Sequence, residues 1–192
     1  MEEKNKNIKL FESSVSSFAE KGVAPVHLWN PKFCGDLDIR ILRNGTWYYN
    51  GSPINRKRMV KLFSNIIKRE GSKYFLVSPV EKIGIVVEDV PFVTDSLDIK
   101  GHGNKQVLTF TTQVGDKVIL SKENPIRFVF DKRTNEPSPY ILVRNNLEAL
   151  IDRKSYYRMI ELGKVKRLKN KAWFGIWSSA NFFPIVLNAE LI

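Results

Sequence analysis

The sequence predicts an α+β protein made of two similar α+β units, each an antiparallel sheet packed with one helix. Three observations point there. Short apolar runs alternate with polar residues at period two and are punctuated by Asn-Gly, Gly-His-Gly and Gly-Asp. Two stretches have helical apolar spacing, each following an asparagine and each rich in Lys and Arg. The chain has 192 residues, 43% hydrophobic and 11% aromatic, enough to bury real cores. The expected organisation is a helical segment over 1–21, an α+β domain over 22–92 and a β-rich domain with one helix over 93–192.

The elements follow in order. Leu10, Phe11, Val15 and Phe18 give residues 8–20 an amphipathic helical pattern. Residues 22–31, GVAPVHLWNP, read as extended, because a residue before proline avoids the α region. Leu37, Ile39 and Ile41 alternate with Asp36, Asp38 and Arg40 as a half-buried strand. Asn44-Gly45 then predicts a two-residue type I′ hairpin, which sets Arg40 opposite Tyr49, Ile41 opposite Tyr48 and Leu42 opposite Trp47. One face then holds Ile39, Ile41 and Tyr48 in the core. The other presents Asp38, Arg40, Leu42, Trp47 and Tyr49. That second face reads either as a strand covered by another layer, with Arg40 paired to Asp38, or as a ligand floor with rings and an anion-binding guanidinium.

A basic helix is expected over 56–69, capped by Asn55 and ended by Gly71. Strands are expected at 74–77 and 83–87, with a turn between them. Residues 89–95, DVPFVTD, mark a boundary. Further strands are expected at 97–100, 107–112, 118–121, 126–131 and 140–143, then a second helix over 147–162. A hairpin around Asn170-Lys171 joins 165–168 to 172–177, and the tail from Ser178 reads as irregular. TWYYNGSPINRKRMVKLFSNI and PYILVRNNLEALIDRKSYYRMI are weakly alike, so a duplicated unit is the economical account.

Lys and Arg total 31 against 20 Asp and Glu, a net charge of +11 that favours acidic partners. The cations gather on 56–69 and 153–171, which read as solvated basic faces or as nucleic-acid contacts. The single cysteine, Cys34, excludes an internal disulfide and a Cys-rich zinc site. His27 and His102 have no second ligand nearby in sequence, so no metal site is expected. No phosphate loop, nucleophile elbow or catalytic triad is spelled out, so no catalytic residue and no cofactor is named. The start, MEEKNKNIKLF, lacks a signal-peptide core and no apolar run can cross a bilayer, which reads as a soluble cytoplasmic protein.

Five blocks carry a resemblance: PVHLWNPKFCGDLDIRILRNGTWYYNGSPI, KYFLVSPVEKIGIVVEDVPF, LTFTTQVGD, PYILVRNNLEALIDRKSYYRMIELG and FGIWSSANFFP. Block after block, the chain resembles the uncharacterised proteobacterial family called domain of unknown function 1285, over about Pro25 to Pro184. The resemblance implies a duplicated architecture whose C-terminal half superficially resembles a pleckstrin-homology fold. It also implies a nucleotide-like ligand at the domain interface and a signalling role. Ligand-binding positions carried over from the matching blocks are Trp29, Asp36, Asp38, Arg40, Trp47, Asn50, Glu81, Lys82, Arg144 and Trp177. The expected function is a non-catalytic module for a small anionic or nucleotide-like ligand. The alternative is nucleic-acid binding through the two basic stretches.

Overall fold

A computed structural model describes residues 13 and 23–187. The expected N-terminal helical segment lies outside the described residues apart from Ser13. The chain divides into two units, Met1–Pro91 and Phe92–Ile192. Each is rich in strands and carries one α-helix within residues 23–187.

In the N-terminal unit, strands β1 (Phe33–Ile41), β2 (Trp47–Tyr49) and β3 (Ser52–Pro53) precede helix α1 (Lys57–Ser64). Strands β4 (Ile67–Glu70), β5 (Lys73–Val77) and β6 (Lys82–Val87) follow it. The sheet order is β3-β2-β1-β6-β5-β4, and β1 and β6 run parallel. This corrects the expectation of a purely antiparallel sheet.

The first hairpin has a different register from the two-residue turn. Ile39 faces Tyr49, Arg40 faces Tyr48 and Ile41 faces Trp47. Only Gly45, at φ 82°, takes the left-handed conformation, while the Asn44 side chain accepts a bond from Thr46 N at 2.9 Å. The loop therefore holds three residues, a turn followed by a left-handed glycine. One extra loop residue moves Trp47 to the core face, where it is 2% exposed and its ring lies 6.5 Å from Phe63.

Helix α1 is also shorter than its apolar spacing suggests. It opens at Arg56 without a side-chain cap, buries Met59 and Phe63, and closes at Asn65. Ile67 instead faces Leu76 in the sheet, and Ile66 O accepts from Val77 N at 3.0 Å. The β-branched pair fits a pleated, buried surface better than a helix end. Lys68 and Arg69 are consequently strand residues.

The C-terminal unit begins with β7 (Phe92–Lys100), β8 (Val107–Thr112) and β9 (Lys117–Ile119). It continues with β10 (Ile126–Phe130), β11 (Pro137–Arg144) and β12 (Leu147–Leu150). Their order is β10-β11-β12-β7-β8-β9, with β12 parallel to β7. Helix α2 (Arg153–Glu161) comes next, so the expected helix over 147–162 splits. Leu147–Leu150 pairs with β11, and Asp152 then caps the helix by accepting from Ser155 N at 3.0 Å. Asp152 also accepts from the Thr94 hydroxyl at 2.8 Å, which ties the helix start to β7. Phe110, Leu108, Ile141 and Met159 are fully buried in this unit.

Strands β13 (Lys164–Leu168), β14 (Lys171–Ser178) and β15 (Asn181–Leu187) form a third, three-stranded antiparallel sheet. Its first hairpin turns on Lys169 and Asn170, both with positive φ, one residue earlier than expected. Within the segment expected to be irregular, Asn181–Leu187 is strand β15, which pairs along β14.

Candidate functional site

Glycine 84 sits in the middle of β6, in the run Lys82–Val87. It faces Phe75 on β5 and Asp36 on β1. A Cβ there would collide with Asp36 Oδ1. The absent side chain therefore lets the Asp36 carboxylate fold over the strand. The register makes a row across four strands: Asp36, Gly84, Phe75, Lys68. β1 bulges on both sides of Asp36, between Phe33 and Asp36 and between Asp36 and Arg40. Bulges of this kind re-aim side chains.

Beside this row lies a recess of about 350 Å³ lined by Asp36, Ser72, Lys73, Phe75, Gly84 and Val86, among others. Its volume falls at the low end for small-molecule sites. Every lining residue belongs to the N-terminal unit. Lys73 is exposed and forms no ion pair among the described residues. Arg40, opposite Val86, is likewise exposed without one.

The flank of the recess is an ion cluster on rings. Glu70 accepts from Lys82 at 3.0 Å and pairs with Lys68 at 3.2 Å. The Lys82 hydrogen bond, more than any other influence, holds the Glu70 carboxyl below its ordinary value, with Lys68 adding to it against some burial. Lys82 Nζ also stands 5.0 Å from the Phe75 ring centre. Phe33, 53% exposed, meets Phe75 edge-on at 6.1 Å. Lys68 Nζ donates to the Trp29 carbonyl at 2.9 Å.

The residues expected to bind ligand are dispersed. Asp36 lines the recess, and Lys82 is two residues along β6 from Gly84. Asp38 and Arg40 are exposed on β1. Trp29 is half-buried after a short 3₁₀ turn, Val26–Leu28. Trp47 is in the core, where no ligand stacks on it. Asn50, at φ 47°, forms the turn between β2 and β3 with Gly51. Glu81 ends a turn in which its N–H donates to the Ser78 hydroxyl at 2.9 Å. Arg144 and Trp177 belong to the C-terminal unit. Arg144 is 14% exposed, paired with Asp116 and set 4.7 Å from the Phe92 ring centre. Trp177 meets Phe182 at 5.4 Å and carries Lys166 Nζ at 4.3 Å.

Reading the sequence missed Lys73, Phe75 and Gly84. Gly84 did have a signal: a glycine inside an apolar strand run marks close approach. Among the described residues, no group of three or more His, Cys, Asp or Glu gathers as a metal site, and no helix is long and apolar enough to cross a membrane.

These features define a two-unit, sheet-rich protein with a small recess on its first sheet. Its relatives are recognisable. Residues 24–90 match the model described as Domain of unknown function (DUF1285), N-terminal domain, and residues 91–185 match Protein of unknown function (DUF1285), C-terminal domain. The chain belongs to the DUF1285 family. A crystal structure of a DUF1285 family protein from Silicibacter pomeroyi DSS-3 is 57% identical, with TM-score 0.82, covering 89% of this chain and 91% of that one. One from Shewanella baltica OS155, 24% identical with TM-score 0.52, covers 65% of this chain and 91% of that one and shares the fold. A search of curated proteins found no match.

Proposed function

We propose that the chain is a non-catalytic module that binds a small nucleotide-like ligand, with the Gly84 recess as its seat. One observation carries this reading: the carboxylate of Asp36 and the ammonium of Lys73 line the same recess over a glycine and an aromatic ring. Asp36 accepts from ribose hydroxyls, Lys73 pairs with phosphate with Arg40 alongside, and the exposed ring of Phe33 stacks on the base. Binding rather than turnover is the reading because the Ser72 hydroxyl on the recess makes no hydrogen bond to Asp36 or Lys73 among the described residues. The setting is a bacterial signalling role, as the family resemblance suggests.

The test is a thermal-shift screen with mono-, di-, cyclic and dinucleotides. A ligand at about a hundred times its Kd adds about 2.7 kcal/mol, roughly 5–10 °C for a chain of this size. The expected result is a shift with one nucleotide class that Asp36→Asn abolishes. No shift with any nucleotide, or one that Asp36→Asn leaves intact, overturns the assignment.

Duplication belongs to the same proposal, supported by topology. Counted from the first strand of each unit, both six-stranded sheets have the order 3-2-1-6-5-4, and in both the first and sixth strands are the parallel pair. The helices occupy different places, after the third strand in one unit and after the sixth in the other. Aligning the units by their helices therefore puts the strands out of step. Two three-strand meanders followed by a helix also support the pleckstrin-homology likeness of the C-terminal unit, with β13–β15 as an addition.

A second reading, nucleic-acid binding through the basic stretches 56–69 and 153–171, draws on the net charge of +11 and on the cations of the third sheet.

A further inference from the structure

The last sheet concentrates charge in an unusual way. Residues 162–187 contain five cations, Lys164, Lys166, Arg167, Lys169 and Lys171, and no Asp or Glu. They supply close to half of the chain's net charge of +11. None of the five forms an ion pair among the described residues.

The register sorts these residues by face. Lys164 faces Gly175, Lys166 faces Trp173 and Leu168 faces Lys171. Across β14, Trp173 faces Leu187, Gly175 faces Pro184 and Trp177 faces Phe182. Directly paired residues point to the same side, and the side alternates along each strand. One face thus carries Lys164, Lys166, Lys171, Trp173, Trp177 and Phe182. The other carries Ile176, Ser178 and Phe183, all buried, and toward its far end Phe174, half-exposed, with Val165 and Arg167 exposed. The first face remains partly open: Lys164 and Lys171 are exposed, and Lys166, Trp173, Trp177 and Phe182 are half-exposed.

Gly175 separates the two indoles. A Cβ at Gly175 would lie 2.7 Å from Phe182 Cζ, so the Phe182 ring occupies the space the glycine leaves. Trp173 and Trp177 are four residues apart, about 13 Å along the strand, so each can take its own base. Lys166 Nζ rests over Trp177 at 4.3 Å and near Phe182 at 5.5 Å. Cations and flat rings thus share one sheet surface. Phosphates answer the cations, and unstacked bases answer the rings. A duplex answers only the cations, because its base faces are hidden in the stack.

We propose that this face of β13–β15 binds single-stranded nucleic acid, with bases stacked on Trp173 and Trp177 and phosphates paired with Lys164, Lys166 and Lys171. The inference rests on the nucleic-acid reading and is independent of the Gly84 recess. On binding, the Lys166 ammonium leaves the Trp177 ring for a phosphate.

The experiment is fluorescence anisotropy of the full chain with a labelled dT12 oligonucleotide, in competition with an unlabelled duplex of the same length. Three phosphate contacts predict affinity falling roughly 20-fold between about 50 and about 200 mM salt. Trp173→Ala is expected to weaken binding by about 5- to 150-fold, and Trp173→Phe to retain most of it. The double variant Lys164→Ala/Lys171→Ala, confined to exposed side chains, is expected to flatten the salt dependence. Absence of dT12 binding at low salt overturns both the nucleic-acid reading and this surface. Binding that survives Trp173→Ala and the lysine variant overturns the surface alone. Equal affinity for the duplex overturns the stacking role.

Discussion

Glu70 shows how single side chains prepare the recess. Its two carboxylate oxygens are taken by Lys68 and Lys82, while its cross-strand neighbour Lys73 forms no ion pair among the described residues. The cluster also has a pH signature. Hydrogen bonding from Lys82 lowers the Glu70 value in the folded protein below its ordinary 4.5. The pair therefore stabilises the fold above the unfolded-state value, and that contribution is lost as pH falls through the lower folded value. Glu70→Gln is expected to remove it. Urea midpoints measured from about pH 6 to about pH 3 should show wild type losing more stability than the variant, by less than about 1 kcal/mol because the carboxylate is part-exposed. Identical pH profiles would contradict the pairing. Of the site, Asp36 was legible from its place on an alternating strand. Lys73 was not, because one more exposed lysine in a chain of 31 cations carries no local signal.

The first hairpin shows where reading elements from sequence succeeds and fails. Alternation identified the strands, since burial on one face imposes period two. The loop length escaped it, because Asn-Gly serves both a two-residue turn and a turn closed by a left-handed glycine. That single residue decides which ring is buried. Trp47→Ala is therefore expected to cost about 3–5 kcal/mol, against about 1 kcal/mol for Tyr48→Ala on the more open face. Chemical denaturation of the two variants checks this, and the two-residue register demands the opposite ranking. Both helices are shorter than their apolar spacing predicts, for a related reason. Apolar residues of β4 and β12 happen to continue the helical spacing of α1 and α2, and only pairing with β5 and β11 makes them strands.

At the scale of the molecule, two six-stranded sheets repeat one strand order, and a third sheet carries much of the positive charge. The repeat was half legible. Two strand-rich units with a basic helix apiece could be read from pattern. The parallel closure of each sheet could not, because it joins residues 46 to 57 positions apart in the chain and no local residue choice encodes it. The charge was legible as composition and illegible as a surface until the register of β13–β15 aligned the lysines with the indoles. The proposed nucleotide-like ligand would occupy the recess over Gly84. The most direct measurement is a ¹⁵N-resolved NMR titration of the full chain with AMP. Saturable shifts are expected, concentrated at the amides of Asp36, Ser72, Lys73, Phe75 and Gly84. Saturable shifts centred elsewhere, or none at millimolar AMP, would contradict this placement.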